Sequence, residues 1–383
     1  MAITDVYYSP AGAGSQNGSD AANAYPALFR GGWSSQITGE DTEGKRFIFL
    51  AGTYAVSNSL TFTGTPTKAN PFFWVGADAD GNVLTTPTWE DEKRLRIDAT
   101  NLPKFEMTGN NMFFTARKEF SNFTNCSFEV TSGTFTKQGV IDNDNVNHTT
   151  FYGIRIKAAV NHTTGYMLRG DRCFINSCSL ESTANTFDNL LRITSTVGYV
   201  INSSFIGAGT SSSGGSYSGH GIEMTQTGFS CANNIVWKVP GNGIQCSDAT
   251  DDYVARISNN TIVDVGNNGI GFGSGVDDKG SYIASNILYG IGNNGVVANS
   301  SDNDVIIIQD MAIGDVTGVN YNNFDDYDAY ADLTTVTAAE SDFFDYTNGD
   351  FRINRNSSLY KGTPAGDNYG ALQNEDYEFV SVS

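Results

Sequence analysis

Arg155 and Lys157 stand two apart in a short alternating stretch that reads as a strand, so both side chains project from one face. Arg169, Arg172 and Arg192 follow in neighbouring repeats. Cationic groups gathered on one face could neutralise a uronic-acid carboxylate and stabilise enolate-like charge while a base removes the adjacent proton. Arg155, Lys157 and Arg192 are the candidates for that elimination chemistry. Pairing of these charges with Asp142, Asp144, Glu181 or Asp188 is the simpler account, and no flanking residues complete a catalytic set, so no catalytic residue is assigned.

Hydrolysis of a glycosidic bond would instead need two facing carboxylates. Asp142 with Asp144, Asp251-Asp252 and Asp277-Asp278 are the clusters. Each lies in a Gly/Asn-rich stretch where Asp serves local turn hydrogen bonding, and the turn account is preferred. His148 and His162 occupy duplicate Asn-His-Thr-Thr phrases, which read as matching loop turns rather than metal ligands. No metal or cofactor is expected; Ca²⁺ at Asp325, Asp326, Asp328 and Asp332 is the alternative, without the Gly-spaced loop of a calcium motif. Tyr321, Tyr327, Tyr330 and Tyr346, in an aromatic region with Phe343, Phe344 and Phe351, are candidates for stacking on a sugar ring or for capping the fold.

The elements that position these residues repeat. The phrases His220-Gly221-Ile222, Asn242-Gly243-Ile244, Asn268-Gly269-Ile270 and Asn294-Gly295-Val296 run in step with Phe128, Ile156, Leu180, Phe205, Ile235, Ile262 and Ile287, roughly 24 to 30 residues apart. That period belongs to solenoids. Apolar residues alternate over short stretches between Gly, Asn, Asp and Ser, which gives short strands joined by tight corners. One such unit cannot bury its apolar face, whereas stacked coils bury theirs against one another. The expected fold is all-β, a single-stranded right-handed parallel β-helix, with an N-terminal cap over 1–45, coils over 46–310 and an irregular C-terminal cap over 311–383.

Cys126, Cys173, Cys178, Cys231 and Cys246 lack CxxC spacing, so a ladder of small buried thiols is expected rather than a zinc site. Cys126 and Cys178 precede Phe128 and Leu180 by the same offset, which places them in equivalent positions of different coils. The formal net charge of −20 argues against nucleic acid and disfavours acidic polysaccharide. No apolar run approaches the ~20 residues of a membrane span, and no export signal is expected at the start.

The stretch Arg46-Phe47-Ile48-Phe49-Leu50-Ala51-Gly52-Thr53-Tyr54 resembles the first coil of pectin-lyase-like right-handed β-helix proteins. Asn348-Gly349-Asp350-Phe351-Arg352-Ile353 and Asn368-Tyr369-Gly370-Ala371-Leu372 are similar to the closing segment of that superfamily. The resemblance implies a fold shared by pectate and alginate lyases, polygalacturonases, tailspike depolymerases and non-enzymatic virion proteins. The polygalacturonase pattern fails, because His220-Gly221 has the reverse order and Arg155-x-Lys157 lies upstream of it. A signal-less chain with an odd number of thiols then suggests a protein made in a host cytoplasm and carried on a phage particle. The expectation is a virion accessory β-helix, a homotrimer in contact with other virion proteins and adhesive to cell-surface polysaccharide, without assigned catalysis. A polysaccharide depolymerase, lyase or glycoside hydrolase, and a secreted adhesin are the alternatives.

Overall fold

The computed structural model describes residues 3–26, 44–56, 66–108, 119–132, 139–143, 148–159, 165–183, 188–194, 198–209, 219–225, 228–247, 254–273, 280–298, 306–322, 336–360 and 369–371. Three parallel sheets of 12, 11 and 8 strands, called here the first, second and third, stack coil on coil, with a two-stranded antiparallel hairpin formed by Phe343–Asp345 and Asp350–Ile353. One coil shows the order: Thr149–Tyr152 in the first sheet, Arg155–Ala158 in the second, Tyr166–Gly170 in the third, then Cys173–Asn176 back in the first. The chain is a right-handed parallel β-helix.

Each sheet turns one column of apolar side chains inward. In the second sheet the column runs Phe105, Phe128, Ile156, Leu180, Phe205, Val236, Ile262, Leu288 and Ile313, all buried in one continuous core. Ile235 and Ile287, expected in this column, lie one residue out of it and face the other way. The reason is a second core. Ile206, Ile235, Trp237, Val263, Ile287 and Ala312 form an apolar outer face, which Phe343, Phe351, Leu359 and Tyr369 of the returning C-terminal segment cover. Both faces of these strands are apolar, so alternation no longer marks the inside.

The Gly370-Ala371 pair docks this segment. Gly370 N donates to the Ser285 carbonyl at 2.8 Å and Ala371 N to Thr261 Oγ1 at 2.9 Å. Gly370 has φ +72, and a Cβ there would lie 2.5 Å from Thr261 Oγ1. The expected caps also take part in the sheets themselves: Thr4–Ser9 pairs with Lys45–Leu50, and Ala312–Val316 and Tyr321–Asn322 carry the coils past 310.

Two asparagine ladders tie the corners together. At the corner between the first and second sheets, Asn234 Nδ2 donates to Asn260 Oδ1 at 3.0 Å and Asn260 Nδ2 to Asn286 Oδ1 at 2.9 Å, all three side chains being buried. At the entry to the third sheet, Asn268 Nδ2 donates to Asn242 Oδ1 and Asn294 Nδ2 to Asn268 Oδ1, each at 3.1 Å. The recurring Asn-Gly-Ile phrase is therefore a hydrogen-bonded rung: the Asn satisfies buried amides of the next coil, and the Ile enters the core. The Gly is required by close approach, since a Cβ at Gly243 would lie 2.4 Å from Ile262 Cγ2.

Candidate active site on the third sheet

The expected basic stripe is divided between two sheets. Arg155 and Lys157 lie on the second sheet and Arg192 on the third, where Arg169 is its register neighbour. The spacing along one strand was sound, but the three-sided coil turns the next strand to a different face. Arg155 is buried; its Nη1 donates to the Ile97 carbonyl at 3.1 Å and lies 3.2 Å from Glu90 Oε1. Lys157 stands in register between Glu129 and Glu181, and Arg96 meets Glu181 at 2.9 Å. The contacts of Arg155 and Arg96 hold the 88–102 segment against the second sheet, and that segment's Leu95 carbonyl accepts from Ser179 Oγ at 2.9 Å.

Two of the tyrosine candidates, Tyr321 and Tyr346, lie among the described residues, and on different elements. The Tyr346 hydroxyl donates to Asp264 Oδ1, whose other oxygen accepts from Trp237 Nε1 at 3.1 Å, and burial pushes the phenol upward, so Tyr346 latches the C-terminal segment. Tyr321 is half-buried on the last strand of the third sheet and packs on the core. Tyr327 and Tyr330, the Asp325–Asp332 stretch, Asp144, His162, Asp251-Asp252 and Asp277-Asp278 lie outside the described residues. His148 stacks on Phe120 with ring centroids 4.8 Å apart. Among the described residues no group of three His, Cys, Asp or Glu side chains is placed to hold a metal ion.

All five cysteines are buried and unbridged, and burial raises the Cys173 and Cys178 thiols to about 12. Cys126 and Cys178 do occupy equivalent positions two coils apart, since Arg155 is in register with both Ser127 and Ser179. They are packing residues of the core.

The outer face of the third sheet gathers what the sequence left scattered. Its register column runs Asp142, Arg169, Arg192, Glu223 and Gln245, with Tyr166, Asn189 and His220 aligned three residues earlier on their strands. Arg192 Nη1 donates to the Tyr166 hydroxyl, and its guanidinium lies 4.9 Å from the ring centroid; that of Arg169 lies 5.8 Å away. Glu223 Oε2 accepts from Asn189 Nδ2 at 2.7 Å and stands 3.2 Å from Arg192 Nε, a charge contact without hydrogen-bond alignment.

Burial raises the Glu223 carboxyl, opposed by Arg192 and by hydrogen bonds from Ser247 and Asn189, and assisted by the negative charge of Asp188. Asp188 is fixed at the entrance to the strand, its Oδ2 accepting from Gly165 N at 2.9 Å. Among the described residues, the buried atoms Asn189 Oδ1 and Arg192 Nε have no hydrogen-bond partner, a condition they share with Glu181 Oε2 of the second-sheet cluster. A carboxyl raised by burial, with the negative charge of a second carboxylate acting on it, is the arrangement from which acid and base roles divide. Glu223, Asn189 and Tyr166 escaped the sequence reading. The signal was present in the repeat phrase, because the residue after each Ile (Glu223, Gln245, Gly271) forms the outward column.

This fold and site describe a right-handed parallel β-helix with a largely buried ionisable cluster on the outer side of one sheet. The crystal structure of pectate lyase Pel9A is similar: TM-score 0.52, 16% sequence identity, covering 93% of this chain and 91% of that one. The likeness is one of fold. No protein-family model and no curated protein matches the chain.

Proposed function

We propose that the protein is a polysaccharide depolymerase of the glycoside-hydrolase kind, acting on a neutral glycan laid across the third sheet. The observation that carries this reading is Glu223, a carboxyl raised by burial yet placed on the outer face of a sheet among polar side chains. As general acid it gives its proton to the glycosidic oxygen while the bond to the anomeric carbon breaks. Water adds to that carbon, and its proton passes to Asp188, whose charge already acts on Glu223. Asn189 and Arg192 orient the Glu223 carboxyl, and the Tyr166 ring, backed by Arg192, offers an apolar face to a sugar.

A neutral glycan suits the charge. Arg169 and Arg192 share the face with Asp142, Asp188 and Glu223, so no net positive field is left to draw a polyuronate, and the chain as a whole stands at −20. The particle-borne adhesin expected from the sequence makes no use of a carboxyl raised by burial at this position, and for that reason the depolymerase is preferred. The test is release of reducing ends from a panel of neutral and acidic polysaccharides by the wild-type protein and by Glu223→Gln. Release from a neutral polymer that the variant loses, at unchanged thermal stability, supports the proposal. Equal release by both proteins removes Glu223 from the chemistry.

A further inference from the structure

The first sheet presents a different surface. Phe174 and Tyr199 are register neighbours on adjacent coils, 36% and 47% exposed, with ring centroids 6.2 Å apart and planes tilted by 55°. Among the described residues they are the only exposed large hydrophobic side chains that neighbour each other in register. Their outward column continues through Thr150 on one side and Ser230 on the other. A concavity of about 450 Å³ opens beside them, lined by His148, Thr149, Thr150 and Arg172 as well as the two rings.

We infer that this face is a second, non-catalytic binding site for a neutral polysaccharide chain, separate from the third-sheet cluster. A pyranose ring has a face of C–H bonds and a rim of hydroxyls; two exposed rings meet the first, and the flanking hydroxyls and imidazole meet the second. Coils repeat about every 4.8 Å, so the column offers a regularly spaced series of such contacts along the helix axis, which suits a linear polymer better than a compact ligand. A second copy of this chain is a poor occupant. A stable protein interface covers about 800 Å² on each partner around an apolar centre, and here two rings are bounded on both sides by polar side chains. The outer face of the second sheet carries the chain's own 88–102 and C-terminal segments, and that of the third is ionic.

Native affinity electrophoresis in gels cast with hydroxyethyl cellulose, galactomannan or dextran, and with pectate as an acidic control, tests the inference. Glu223→Gln serves as the background that prevents cleavage. We expect retardation by at least one neutral polymer, weakened roughly tenfold or more by Phe174→Ala with Tyr199→Ala and kept by Tyr199→Trp. Thermal stability should stay unchanged, because both side chains are exposed. Equal retardation after the double substitution, absence of retardation by every neutral polymer, stronger retardation by pectate, or a solution dimer that the double substitution dissociates would each overturn it. The readout is separate from hydrolysis: retardation without released reducing ends would remove the catalytic proposal and leave this site standing, and the converse result would do the opposite.

Discussion

His220 Nδ1 accepts the backbone N–H of Asn242 at 2.9 Å, the place that an asparagine Oδ1 takes in the next two coils, on Asn268 N and Asn294 N. The histidine is thus the first rung of an asparagine ladder, and it can serve only while that nitrogen is unprotonated. Burial agrees with this, lowering its pKa to about 4.

The first prediction follows from that nitrogen. An unfolded histidine titrates near pH 6.5, so between about 6.5 and 4 the unfolded chain binds more protons than the folded one. The stability held above pH 6.5 is lost as pH falls toward 4, by roughly 3 kcal/mol at most. The raised carboxyl of Glu223 has the opposite sign, favouring the folded state as pH falls through its titration. His220→Asn should flatten the decline in thermal unfolding over this window, and an unchanged pH dependence would remove His220 from the ladder.

A second prediction separates the two cores. Ile262 faces inward and Ile287 outward beneath the C-terminal segment. Ile262→Asp should cost about 3 kcal/mol or more in a single cooperative transition. Ile287→Asp should first release the segment that carries Phe343 and Phe351, seen as early proteolysis there before global unfolding. Identical proteolytic patterns in the two variants would contradict the existence of a separate outer core.

Arg155 gives a third. Removing it leaves Glu90 and the Ile97 carbonyl without their cation, so Arg155→Ala should destabilise by roughly 1–3 kcal/mol while glycan cleavage per folded molecule stays unchanged. Activity lost at full stability would return Arg155 to the catalytic candidates.

The solenoid was legible because its repeat is covalent: Asn-Gly-Ile recurs where an amide rung, a close backbone approach and a core residue follow one another. The register of the second sheet was not, since Ile235-Val236 and Ile287-Leu288 are apolar on both faces and only the returning segment decides which residue points inward. The site was harder still. Glu223 and Arg192 lie 31 positions apart and meet only because their strands share a register, and Arg155 and Arg192 separate because a corner intervenes. Individual residue types carried little of this information; their offset from the repeat phrase carried most.

The most direct test of the catalytic account is the chemistry of the product ends. Cleavage of a responsive neutral polysaccharide in isotopically heavy water, followed by mass spectrometry of the fragments, should give saturated ends with one heavy oxygen incorporated per bond broken, and none with Glu223→Gln. Unsaturated ends without incorporated oxygen would mean elimination rather than hydrolysis and would contradict the assignment of Glu223 as the acid of a hydrolase.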